Sequence, residues 1–109
     1  MSKINRKYFS FLLLTSAISA TTTTFADEAY VVKRFSGCDY FIADGPNGLY
    51  VLEWYGGYDP DVGDRIKGGI ATYGMQSVVY NNSFSGQVYV EDYLESNSGA
   101  MDEINNHCN

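Results

Sequence analysis

Gln87-Val88-Tyr89-Val90-Glu91-Asp92-Tyr93 is the stretch whose pattern decides the fold class. In an extended chain Val88 and Val90 fall on one face and Tyr89, Glu91 and Tyr93 on the other, because successive side chains of a strand point to opposite sides. A period of two, aliphatic on one side and polar on the other, marks a half-buried strand. The run Leu49-Tyr50-Val51-Leu52-Glu53-Trp54-Tyr55 repeats it, with Tyr50, Leu52 and Trp54 as the apolar set and Val51, Glu53 and Tyr55 opposite. With the aliphatic sets turned inward, Tyr55, Tyr89, Tyr93, Glu53 and Glu91 make an acidic, tyrosine-rich outer face.

Outward from these two runs, apolar residues keep the strand period between clusters of Gly, Asn, Asp and Pro, an all-β pattern. Residues 30–35 open an extended stretch that Gly37 bends before residues 39–43 continue it. Asp44-Gly45-Pro46-Asn47-Gly48 is a tight connection, since Pro46 presets a turn corner and the glycines accept positive φ. Residues 56–63 form the longest loop, and residues 64–72 follow as a strand with Ile66 and Ile70 on one face and Gly68 and Gly69 coiling its middle. Residues 75–80 and 87–94 flank the turn 81–86. The sum is a five-stranded antiparallel barrel, with Val31, Ile42, Leu52, Trp54, Ile66, Ile70, Val78, Val88 and Val90 expected in its core.

The tail changes period. Met101, Ile104 and Cys108 recur at helical spacing on one side. Ser98 is the expected N-cap, with Asp102 and Glu103 in the first turn, where the helix dipole favours acids. Cys38 and Cys108 are the only two cysteines. Their pairing would tie this short helix to the barrel and hold a chain end that would otherwise fray.

The first 26 residues read as an export signal: Lys3, Arg6 and Lys7 precede the apolar run 9–20, and Thr24-Phe25-Ala26 supplies small residues before a cut. The expected product is one domain, residues 27–109, in the periplasm or secreted, where a disulfide persists. Of 7 basic residues only Lys33, Arg34, Arg65 and Lys67 lie in that product, against all 13 Asp and Glu, a net charge of −9. Such a field repels phosphate backbones and anionic headgroups, which argues against nucleic acid and the membrane surface. No second apolar segment of spanning length follows residue 26.

Gly63-Asp64-Arg65-Ile66-Lys67-Gly68 looks like the Gly-Asp turn that leads into the third strand of many OB-folds, and the whole pattern resembles the small barrels of the OB-fold and SH3-like classes. OB-folds usually place a helix between strands three and four, whereas only Tyr73 and Gly74 separate those strands here. The wider run 39–64, centred on Leu52-Glu53-Trp54-Tyr55-Gly56-Gly57, looks like a signature of small exported bacterial proteins. The resemblance implies an architecture and transfers no chemistry.

Catalysis finds little support. His107 is the only histidine and adjoins a cysteine expected to be oxidised, so a nucleophile–histidine pair has no good place. It shows no third metal ligand in its neighbourhood, and neither a metal nor a cofactor is expected. Glu53 and Glu91 could pair as carboxylates, but so short a chain has little wall for a water-excluding cleft. Asp59, Asp61 and Asp64 invite calcium, yet the later ligand positions of an EF-hand loop fall on Gly63 and Ile70, so the run reads as a polar turn. What remains is the aromatic content, thirteen Tyr, Phe and Trp in residues 27–109. Tyrosine combines large area, a polar tip and little rotamer entropy, which suits interfaces. The expected function is a non-catalytic binding module whose acidic tyrosine face engages a basic protein, as inhibitor or accessory subunit. The alternative is stacking against a neutral glycan or peptidoglycan fragment, and a purely structural envelope role would predict no saturable ligand.

Overall fold

The computed structural model describes residues 27–108, so the expected export signal lies outside the described residues. Six strands and one helix follow in order: β1 Asp27–Arg34, β2 Tyr40–Gly45, β3 Gly48–Gly57, β4 Arg65–Gly68, β5 Gly74–Tyr80, β6 Phe84–Glu95 and α1 Asn97–Cys108. They close into a barrel in the order β1-β2-β3-β6-β5-β4, each neighbouring pair antiparallel. Two three-stranded meanders are thus joined edge to edge, so each of the described strands has a partner on both sides over at least part of its length. The small closed barrel agrees with the OB- and SH3-like architecture, with its helix at the C-terminus.

The sixth strand is a correction to the expected five, and its cause is Gly37. Its φ of 71° permits a reversal rather than a bulge, and the Cys38 N–H donates to the Phe35 carbonyl at 3.1 Å. Positive φ at the third residue of a turn is what glycine supplies without steric cost. β1 and β2 therefore pair as a hairpin, with Tyr30 opposite Asp44 and Arg34 opposite Phe41. The next connection is as read, since Gly45 pairs with Gly48 across the two-residue loop Pro46-Asn47. Past Gly68 the expected strand gives way to a turn, in which Ile70 is nonetheless buried.

The barrel is filled by Ala29, Val31, Phe41, Ala43, Tyr50, Leu52, Ile66, Ile70, Val78, Tyr80, Val88 and Val90. Of the expected core, Ile42 and Trp54 differ. Tyr40-Phe41-Ile42-Ala43 is buried on both faces, so Phe41 and Ala43 face the barrel while Tyr40 and Ile42 join a second cluster with Val51, Ala100 and Ile104 beneath α1. Trp54 is half-buried against the barrel core, its indole N–H donating to the Tyr58 carbonyl at 3.0 Å. Helix α1 begins earlier than its expected cap. The Ser96 hydroxyl accepts from the Gly99 N–H at 3.2 Å and the Ser96 carbonyl accepts from the Ala100 N–H at 2.9 Å, so Ser96, not Ser98, caps it, and the first turn holds no acid. Cys38 and Cys108 are bonded, with Cα atoms 5.5 Å apart, which ties the last helical residue to the β1–β2 turn.

Candidate binding face

Strand register places the candidate residues. Met75 on β5 lies opposite Tyr89 on β6, Tyr89 opposite Glu53 on β3, and Glu53 opposite Tyr40 on β2. Opposed residues share a face, so Met75, Tyr89, Glu53 and Tyr40 form one row across the outside of four strands. Met75 and Tyr89 are exposed, Glu53 is half-buried, and Tyr40 is covered by the helix. Tyr55 is the additional residue where the β3–β6 register slips between Trp54 and Gly56; it is 53% exposed, its ring centroid 6.3 Å from that of Tyr89. Beside the row lies an open groove lined by Gly56, Gly57, Ser77, Val79, Gly86 and Gln87, and of its glycines Gly56 faces open space.

Tyr93 is not part of this row. Leu52 pairs with Val90 but Val51 pairs with Asp92, so Glu91 is an extra residue on β6. A bulge of one residue exchanges the two faces beyond it. Tyr93 accordingly packs against the barrel core, and its ring meets that of Tyr73 at 4.7 Å. The alternation that reads Tyr93 as outward holds only up to Glu91.

The same bulge sets Glu91 beside the helix. Its Oε2 lies 3.5 Å from His107 Nε2, and its Oε1 accepts from the Tyr40 hydroxyl at 3.4 Å. Glu103, one helical turn before His107, is 3.8 Å from the same nitrogen. The Tyr40 and His107 rings stack at 4.3 Å with an interplanar angle of 12°. Burial, then the charges of Glu53 and Glu91 and hydrogen bonding to them, hold the Tyr40 phenol well above its usual range. Tyr40 and His107 were not among the sequence candidates. The signal available for Tyr40 is the unbroken apolar run 40–43, which fits a strand covered on both faces rather than one.

Two of the three loop aspartates have side-chain partners. Asp64 accepts from the Tyr58 hydroxyl at 2.9 Å, the Asp61 N–H at 2.8 Å and the Asn81 amide at 3.0 Å. Partial burial raises its pKa, but these three hydrogen bonds outweigh that and lower it. Asp59 pairs with Arg34 at 2.8 Å, and Arg34 also donates to the Pro60 carbonyl. Asp59 and Asp64 thereby tie the loop to β1 and to the β5–β6 turn.

Positive charge is confined to one side of the barrel, where Asp27 and Glu28 of β1 accompany it. All four Lys and Arg among the described residues lie on β1 and β4, which are neighbours. The pair β3 and β6 stands across the barrel from them and, with α1, carries Glu53, Glu91, Asp92, Glu95, Asp102 and Glu103. Among the described residues no helix is long and apolar enough to cross a membrane. No protein-family model, curated protein or solved structure matches this chain.

Proposed function

We propose that this domain is a non-catalytic binding module that engages a basic protein through the outer face of β3, β5 and β6, acting as an inhibitor or accessory subunit in an oxidising compartment, the periplasm or the extracellular space. The confinement of every described Lys and Arg to the opposite side carries the reading. The side with the exposed aromatic row has six carboxylates and no Lys or Arg, while the four cations are gathered on β1 and β4. A one-signed patch steers an oppositely charged partner and rejects a like-charged one. Exposed Tyr55, Tyr89 and Met75 supply apolar area within that field, and the glycine-lined groove gives a partner side chain a place to enter. Glycan stacking is the weaker reading, because the Tyr55 and Tyr89 planes are inclined by 36° and offer no common platform to a sugar ring.

Association kinetics with a cationic protein captured on the immobilised domain test the proposal. The association rate should fall steeply with added salt, and Glu53→Lys should slow it at low ionic strength. Tyr55→Ala with Tyr89→Ala should raise the dissociation rate by roughly thirtyfold or more, the kinetic equivalent of about 2 kcal/mol. Salt-independent binding, or unchanged binding by the folded double variant, refutes it.

A further inference from the structure

The cluster of Glu91, Glu103 and His107 lies where the β6 bulge meets the last turns of α1. One ligand atom from each lies within 4.8 Å of the other two. We propose that these three side chains form a site for a divalent transition-metal ion, with zinc as its natural probe. Zinc with bonds of about 2.0–2.1 Å in tetrahedral geometry sets its ligands roughly 3.3 Å apart. His107 Nε2 already stands 3.5 Å from Glu91 and 3.8 Å from Glu103. Closing on a metal therefore takes movements of a few tenths of an ångström to about one ångström.

Chemistry and support agree with that geometry. Glu103 and His107 are four apart on one helix, so both project from the same face, and Glu91 reaches them from the strand. The two oxygens of Glu91 are divided, Oε1 accepting from Tyr40 and Oε2 facing the imidazole. Tyr40 also stacks on the His107 ring. One residue thereby orients two ligands, as the outer partners of metal ligands do. The Cys108 disulfide fixes the backbone next to His107. Two carboxylates and a neutral imidazole leave two negative charges for a dication to balance, and no Lys or Arg lies on β2, β3, β5, β6 or α1 to do so. The imidazole nitrogen selects zinc, copper or nickel over calcium and magnesium, which take oxygen ligands. Three protein ligands leave a position open for water or for a donor atom of a docked molecule.

The test uses the single histidine of the chain. Zn²⁺ is titrated into the protein while the His107 ring resonances are followed by NMR and the melting temperature by circular dichroism. A saturable 1:1 shift of the ring signals is expected. At a hundredfold excess over the dissociation constant the melting temperature should rise by roughly 10–20 °C. His107→Gln should abolish the thermal shift and Glu103→Gln should weaken binding at least tenfold, while Tyr40→Phe weakens it by about tenfold through loss of ligand support. Asp61→Asn should bind as the parent does, and Ca²⁺ at equal concentration should not compete. Unmoved ring resonances at millimolar zinc overturn the proposal, as does parental zinc binding by folded His107→Gln, loss of binding in Asp61→Asn, or displacement by calcium. Tyr55→Ala with Tyr89→Ala should leave zinc binding intact, which separates this site from the protein-binding face.

Discussion

Replacing Cys38 and Cys108 by Ser together should remove the largest single constraint on the unfolded chain. The two residues are separated by 70 positions, and the loop-closure expression for such a span gives about 4 kcal/mol at room temperature. For a domain of this size each kcal/mol corresponds to roughly 4–8 °C, so the melting temperature should fall by about 15–30 °C. Part of the loss should be local. A helix of 12 residues is marginal alone in water, and α1 is held mainly by Ala100 and Ile104 against Tyr40, Ile42 and Val51. Burial of one isoleucine contributes about 1.5–3 kcal/mol, so without the bond the helix should open more often than the barrel. Thermal unfolding by circular dichroism reads the global term, and amide exchange of residues 97–108 against that of β3 and β6 reads the local one. A fall of less than about 4 °C corresponds to under roughly 1 kcal/mol and would refute the chain-entropy account. Equal protection of helix and barrel in the variant would refute the local one.

Tyr93→Ala should cost about 2 kcal/mol or more, because its ring packs on the barrel core, while Tyr89→Ala stays within about 0.5 kcal/mol; chemical denaturation of the two variants checks the bulge at Glu91. Trp54→Ala should cost roughly 2–3 kcal/mol, below the range for a fully buried tryptophan, since the indole is only half-covered. Stability should decline as pH rises above about 10, the phenol value of an unfolded chain. In the folded protein burial and the Asp27 carboxylate push Tyr50 up to about 12, and burial raises Tyr40 and Tyr80 as well, so between those values the unfolded state alone loses protons. Urea unfolding at several pH values measures this, and Tyr50→Phe should flatten the decline. Tyr80→Phe should be neutral or stabilising by about 1 kcal/mol, because among the described residues the buried Tyr80 hydroxyl has no partner.

The fold class was legible because a period of two survives in single residues. Val88, Val90, Leu52, Ile66 and Val78 lie in the barrel on the strength of alternation alone. Strand count was not legible, because Gly37 admits either a bulge or a reversal and only pairing partners decide between them. Alternation also assumes a single core. The helix creates a second one on the outside of β2 and β3, which buries Val51, read as outward, and takes Ile42 out of the barrel into a cluster with Tyr40. The helix itself was readable from Met101, Ile104 and Cys108, whereas its start was not, since Ser96 and Ser98 compete for the cap and only hydrogen bonding separates them.

The candidate face was legible where it depends on local pattern and illegible where it depends on distant contacts. Glu53 and Tyr89 keep the outward phase that alternation assigns them, and the pairing of the non-consecutive strands β3 and β6 sets them opposite each other, with Tyr55 beside Tyr89 at the register slip. Glu91 and Tyr93 part company at one inserted residue, and no composition signal distinguishes Val90-Glu91-Asp92-Tyr93 with a bulge from the same residues without one. The helix end adds what no strand pattern holds. Tyr40 meets Glu91 across 51 residues of sequence, and His107 reaches both from a helix end that is packed through Ala100 and Ile104 and bonded back to Cys38 by the neighbouring cysteine. Two readings that treat the molecule separately, a disulfide that anchors a fraying tail and a histidine set aside for want of partners, therefore meet in one arrangement. The bond that stabilises the fold also positions the imidazole between Glu91 and Glu103. Removing it should disperse that cluster before the row of Met75, Tyr89 and Glu53 is disturbed, because the row is built from three paired strands and needs no helix.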